Sequence, residues 1–134
     1  MTSIIDVEGI GAAYAAKLKE LGITTTEVLL EKGATPVGRK LVAEKTGISD
    51  KLILKWLNHV DLFRIKGVAG EYSELLEAAG VDTIPELAQR KAENLFTKLT
   101  EVNAEKKLVR KLPTESQVKD WVEQAKKLPR VLTY

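Results

Sequence analysis

The stretch Val7-Glu8-Gly9-Ile10-Gly11-Ala12-Ala13-Tyr14-Ala15 decides the fold. Two glycines flank one apolar residue, and a pattern of helical period opens behind them. Tyr14, Leu18 and Leu21 follow i, i+4, i+7, while Lys17, Lys19 and Glu20 fall on other faces. Glycine adopts backbone angles closed to other residues, so Gly9-Ile10-Gly11 can turn sharply at the head of a helix. With Ile10 pointing inward, the amides of Gly11 and Ala12 point outward as free donors. Such a helix end attracts anions, phosphate above all.

The same stretch returns further along the chain. At an offset of 58 residues, Gly9-Ile10-Gly11 falls on Gly67-Val68-Ala69, Tyr14 on Tyr72, and Leu18 on Leu76. Gly22-Ile23 then falls on Gly80-Val81, Thr25 on Thr83, and Leu29 on Leu87. Later the offset grows to 65, where Ser49 meets Thr114, Ile53 meets Val118 and Trp56 meets Trp121. Extra charged sequence near Glu105–Lys111 absorbs the difference. Two long copies of one architecture follow, residues 1–61 and 62–134. No Gly-, Ser- or Pro-rich linker separates them, so they are expected to pack together.

Inside each copy the start and stop signals are those of helices. Gly22 fits a C-terminal cap, with Ile23 placed to close the hydrophobic contact beside it. Thr24-Thr25-Thr26-Glu27 offers a capping box for a helix carrying Val28, Leu29 and Leu30, with Gly33 at its end. Thr35-Pro36 is a cap followed by a first-turn proline, and Gly47 closes that helix. Ser49-Asp50 starts the next, with Ile53, Trp56, Leu57 and Val60 as its apolar stripe. In the second copy the pattern predicts helices over 69–79, 83–90, 92–102, 104–111 and 115–127. Thr114 and Gln117 form a capping box ahead of Val118 and Trp121, and Pro129 stops the last helix before a short extended tail. No sustained period-two alternation occurs, so the fold class is all-α.

Composition narrows the function. The chain has 134 residues, 44% hydrophobic and 30% charged, as in a soluble globular protein. It contains no cysteine, which removes disulfides and thiolate metal sites and is compatible with a reducing compartment. No apolar run approaches the roughly 20 residues of a membrane span. No basic segment followed by an apolar one opens the sequence, so a secretory signal is not expected, and the expected location is the cytoplasm. The formal charge is +2, unevenly spread. Residues 1–61 hold eight basic and eight acidic side chains, residues 62–90 three and five, and residues 91–134 ten and six. The last third is thus mildly basic, far below the excess of a dedicated DNA-binding domain.

The pattern apolar, any, Gly9, Ile10, Gly11, three residues, Ala15 and then Leu18 resembles the helix-hairpin-helix motif. The resemblance implies that two helices joined by this loop hold a nucleic-acid phosphate without reading sequence, with Ile10 as the buried wedge. The stretches Thr46-Gly47-Ile48-Ser49, Arg64-Ile65-Lys66-Gly67-Val68, Leu76-Glu77-Ala78-Ala79-Gly80-Val81-Asp82-Thr83 and Leu132-Thr133-Tyr134 extend the likeness over nearly the full length. They resemble an uncharacterised bacterial family, a domain of unknown function built from tandem helix-hairpin-helix units. What this implies is two SAM-like repeats packed as one compact unit, and no activity.

The candidate nucleic-acid contacts are Gly9, Ile10, Gly11, Ala12 and Lys17 in the first copy, and Lys66, Gly67, Lys106, Lys107, Arg110 and Lys111 in the second. The second loop departs from the pattern: Ala69 replaces the second glycine, and Glu71 and Glu74 enter the first turn of the helix, where they favour the helix dipole but repel phosphate. The alternative is a protein-interaction or self-associating scaffold in which both hairpins are only structural. No enzyme is expected, because no nucleophile–base pair, metal-ligand set or phosphate-loop lysine is visible. His59 is the only histidine and has no companion ligand, so neither a metal nor a cofactor is expected. Trp56 and Trp121 hold equivalent places and read as core anchors, with Tyr14 and Tyr72 packed beneath the hairpins. The carboxylate pairs Asp6 with Glu8 and Glu71 with Glu74 read as caps and solvated charges.

Overall fold

Threonine starts half of the helices. In a computed structural model that describes residues 3–7, 9–68 and 70–134, the chain forms eight α-helices among those residues: α1 Gly11–Lys19, α2 Thr26–Gly33, α3 Pro36–Thr46, α4 Asp50–Leu62, α5 Gly70–Ala78, α6 Ile84–Ala88, α7 Ala92–Lys106 and α8 Glu115–Lys127. The hydroxyl of Thr25 accepts from the Val28 amide at 3.3 Å, Thr35 from Gly38 at 3.1 Å, Thr83 from Glu86 at 3.2 Å and Thr114 from Gln117 at 3.1 Å. Each bond satisfies one of the donors that a helix start leaves orphaned. Only Thr114 completes a capping box, since the Gln117 amide oxygen returns to the Thr114 N–H at 2.8 Å. At α2 the cap is Thr25 alone, and its third-position partner is Val28 rather than Glu27. The described residues contain no strand beyond one antiparallel bridge between Ser3 and Thr25. The fold is all-α.

The backbone divides into two compact units. One comprises Met1–Asp61 together with Val131–Tyr134, and the other Leu62–Arg130. The last four residues, expected in the second copy, therefore group with the first. Leu132 supplies the reason: it is 1% exposed. Thr133 donates its N–H to the Ala34 carbonyl at 2.8 Å, and its own carbonyl accepts from Arg39 at 2.7 Å. Arg39 also donates to the Gly33 carbonyl at 2.8 Å, covering an acceptor that the end of α2 would leave bare. Tyr134 places its ring 5.9 Å from the Arg39 guanidinium and donates its hydroxyl to the Asn58 side chain at 2.9 Å.

Hydrogen bonds recur inside the two units at the offsets that the sequence carries. Val7 N–H donates to Ile4 and Ile10 to Val7, each at 3.1 Å; at the same distances Ile65 donates to Leu62 and Val68 to Ile65. Ile23 closes on the Leu18 carbonyl at 3.1 Å, as Val81 does on Leu76 at 2.8 Å, with Gly22 and Gly80 in the left-handed region at φ 77° and 92°. Ile53 bonds Ser49 and Val118 bonds Thr114, both at 3.0 Å.

In the second unit Leu75, Leu76, Leu87, Leu95, Leu99 and Val118 are fully buried around Trp121. The helix expected over 104–111 does not form. Instead α7 runs on to Lys106, and Lys107 turns left-handed at φ 51°. The side chain of Asn103 then clamps Val109 on both backbone groups, donating to its carbonyl at 3.1 Å and accepting from its N–H at 2.9 Å. Val109 is buried, so the loop is pinned at its centre and its cations stand outside. The expected 83–90 helix is shorter, Ile84–Ala88.

Loss of hydration and the hydrogen-bonding, like-charged Asp82 beside it hold the Glu86 carboxyl above the ordinary value of 4.5. A folded-state pKa raised above the unfolded one gives a contribution that is fully present below about pH 4.5 and is lost as pH rises through the folded value. Glu86→Gln is thus expected to gain stability relative to the native protein between pH 4.5 and 7. Urea titrations at the two pH values check it, and a difference independent of pH would refute it.

Candidate binding surface

The first turn is built from the inside out. Ile10 is 1% exposed and anchors the loop, while Gly9, Gly11, Ala12 and Ala13 are exposed around it. Gly9 and Gly11 have φ of 90° and 61°, backbone that other residues adopt at a cost. No side chain caps α1, and no carboxylate lies in its first turn, so among the described residues that helix presents its positive end without a charged or hydroxyl partner. Lys17 stands exposed in the last turn of α1.

Beneath the turn lies Trp56, 1% exposed, with its ring 5.1 Å from Tyr14 in an edge-on arrangement of 61°. A Cβ at Gly9 would sit 3.4 Å from Trp56 Nε1, an ordinary contact, so it is the positive φ rather than the space that calls for glycine there. Nε1 is buried, and among the described residues no acceptor reaches it.

The second turn repeats this scaffold with different charges. Trp121 is 1% exposed, its ring 5.3 Å from Tyr72, and a Cβ at Gly67 (φ 95°) would come within 3.1 Å of Trp121 Nε1. The side-chain amide of Gln124 clasps Lys66 on both backbone groups, at 2.8 Å and 3.1 Å, and donates to Asp120 at 2.8 Å. Glu71 lies in the first turn of α5 and is exposed. The hydroxyl of Tyr72 donates to the Lys111 carbonyl at 3.0 Å, which brings the basic loop after α7 to α5.

The expected contact residues thus form two groups. Gly9, Ile10, Gly11, Ala12 and Lys17 belong to the first unit; Lys66, Gly67, Lys106, Lys107, Arg110 and Lys111 belong to the second, where all six are exposed. Glu8 and Ala69, both weighed in the sequence, lie outside the described residues.

A family model described as a domain of unknown function, DUF4332, matches residues 8–128. That span covers both glycine turns and both tryptophans. The chain belongs to the DUF4332 family. No curated protein and no solved structure matches it significantly.

In this DUF4332 chain His59 is 1% exposed within α4. Among the described residues no three His, Asp or Glu side chains gather as metal ligands. A cleft of about 800 Å³ in the second unit, between 88–93 and α8, mixes Arg90, Lys91 and Lys119 with Glu93 and Glu115, and its Lys126 pairs with Glu123 at 3.4 Å. No described helix is long and apolar enough to cross a membrane. The residue that sequence reasoning passed over is Arg39, 6% exposed, whose partner Thr133 lies 94 positions away and leaves no local signal.

Proposed function

We propose that this DUF4332 member is a non-enzymatic binding module that holds a nucleic-acid backbone on the turn before α1, without reading base sequence. The observation that carries this reading is the exposed start of α1: Ile10 is buried, Gly11 and Ala12 face solvent, and among the described residues neither a capping side chain nor a first-turn carboxylate competes for the amides. Each unit is read as one helix-hairpin-helix repeat of SAM-like type, supported by the hydrogen bonds that recur at the 58-residue offset. Lys17 adds charge in the first unit, and Lys106, Lys107, Arg110 and Lys111 offer backbone contacts in the second. Lys66 and Gly67 are weaker members, because Glu71 follows them at the head of α5. The cysteine-free composition accords with a reducing compartment, and the reading places the protein in the cytoplasm.

Fluorescence anisotropy with generic duplex and single-stranded DNA tests this. Binding should appear at low salt and weaken steeply as salt rises. Gly11→Asp puts a carboxylate at the phosphate position and should cost about tenfold in affinity, and Lys107→Glu together with Arg110→Glu should lower the salt slope by about two. Absence of binding at low salt, or an unaltered Gly11→Asp affinity, overturns the reading. The second reading, a protein-interaction or self-associating scaffold, is favoured by Glu71 at the head of α5 and by a net charge of only +2. It predicts association that Gly11→Asp leaves unchanged.

A further inference from the structure

α3 turns an apolar face outward that neither reading of the glycine turns uses. Val37 and Leu41, four residues apart and therefore on one side of the helix, are 71% and 51% exposed. Single exposed aliphatics are ordinary, but Leu41 also lines a groove of about 210 Å³ with Leu21, Lys32, Gly38, Val42 and Lys45, and Val37 stands one helical turn before it. Gly38 gives the groove its shape. A Cβ there would strike the Lys32 carbonyl, so α3 begins closer to the end of α2 than any other residue would permit. The groove lies at the C-terminal end of α1, away from Gly11, and does not rest on the nucleic-acid reading.

Size and charge narrow the occupant. Small-molecule pockets occupy roughly 300–1,000 Å³, so this groove admits an anchoring side chain rather than a whole small ligand. Its lining contains two ammonium groups and no carboxylate. Lys32 and Lys45, in the last turns of α2 and α3, are exposed and have no ion-pair partner among the described residues. A nucleic-acid backbone would use the lysines but would set a polar strand against Val37 and Leu41. A second copy of the chain lacks a matching element in its acidic helix α5, whose Leu75 and Leu76 are buried in its own core.

We propose that this face docks an acidic amphipathic segment of another protein. An aliphatic or aromatic anchor enters between Leu21, Leu41 and Val42, further apolar side chains cover Val37, and flanking carboxylates meet Lys32 and Lys45. This is helix-in-groove recognition, with apolar area supplying affinity and the lysine rim selecting sign of charge.

The test uses the full chain and three fluorescein-labelled synthetic peptides. One is a helix-forming peptide with leucines at i, i+3, i+4 and i+7 and glutamates elsewhere; one has the same composition with the leucine spacing scrambled; one replaces every glutamate by lysine. The first should bind, and the other two should bind at least about tenfold more weakly. Leu41→Ser should weaken the first peptide about tenfold, and Lys32→Glu with Lys45→Glu about fivefold. All three positions are exposed, so circular dichroism should stay native. No binding of the first peptide, equal binding of the scrambled one, indifference to Leu41→Ser, or displacement by duplex DNA would overturn the proposal. A Gly11→Asp control should leave peptide binding unchanged, which separates this surface from the turn before α1.

Discussion

Ending the chain after Arg130 is expected to destabilise the first unit by about 4 kcal/mol, most of it through Leu132. Leu132 is 1% exposed, and truncating a buried leucine to alanine costs about 2–5 kcal/mol according to how far the site collapses. The remainder belongs to Arg39. Its guanidinium is nearly buried and divides its donors between Gly33 and Thr133; removing the tail leaves one of those bonds to whatever water can enter. Against a total stability of roughly 5–15 kcal/mol for an ordinary domain, that loss is large. Leu132→Ala should reproduce most of it. Tyr134→Ala should cost about 1 kcal/mol, since that residue is 56% exposed, bonds Asn58 through its hydroxyl and lies against the Arg39 guanidinium. Urea unfolding gives the magnitudes, and amide exchange gives the location, with protection falling in α2 and α3. An unchanged midpoint after tail removal would mean that these bonds add nothing to the unit.

The tail also marks the limit of what the amino-acid order discloses. Helix ends were readable because their signals are local. Thr25, Thr35, Thr83 and Thr114 cap within three residues, and Gly22, Gly47 and Gly80 enter the left-handed region that glycine alone adopts freely. The glycine turn was readable for the same reason, and the 58-residue offset is written into both sequence and hydrogen bonds. The segment 104–111 carries a helical pattern, with Ala104, Leu108 and Val109 at i, i+4 and i+5, yet past Lys106 it folds as a loop. There a side chain, Asn103, outcompetes the backbone ladder by binding both polar groups of Val109, and Lys107 adopts a positive φ that no glycine announces. The face of α3 was silent too. Val37, Leu41 and Val42 are all aliphatic, and which of them turns inward is decided by the approach of α2 at Gly38, a tertiary event.

Trp56→Ala and Trp121→Ala are each expected to cost about 3–5 kcal/mol, the range for removing a fully buried large aromatic. The loss includes the ring contacts with Tyr14, edge-on, and Tyr72, tilted, worth about 0.5–1.5 kcal/mol each beyond area burial. Thermal or urea unfolding measures it, and a cost below about 1 kcal/mol at either site would show that the indole is not an anchor there. Trp56→Phe should cost less than the truncation, because it keeps the ring while removing a buried N–H that no described acceptor reaches. The same substitutions bear on function. Gly9 rests on Trp56, so Trp56→Ala should let the turn collapse and abolish any phosphate held on the Gly11 and Ala12 amides, without the indole ever touching a ligand. Loss of DNA binding in that variant therefore says nothing about contact. Gly11→Asp does: a Cβ there meets nothing within 4 Å, and aspartate tolerates φ near 61° better than most side chains. The stability of Gly11→Asp should fall by only about 1 kcal/mol, against a tenfold loss of DNA affinity. Equal damage to fold and affinity would return the glycine turn to a purely structural role.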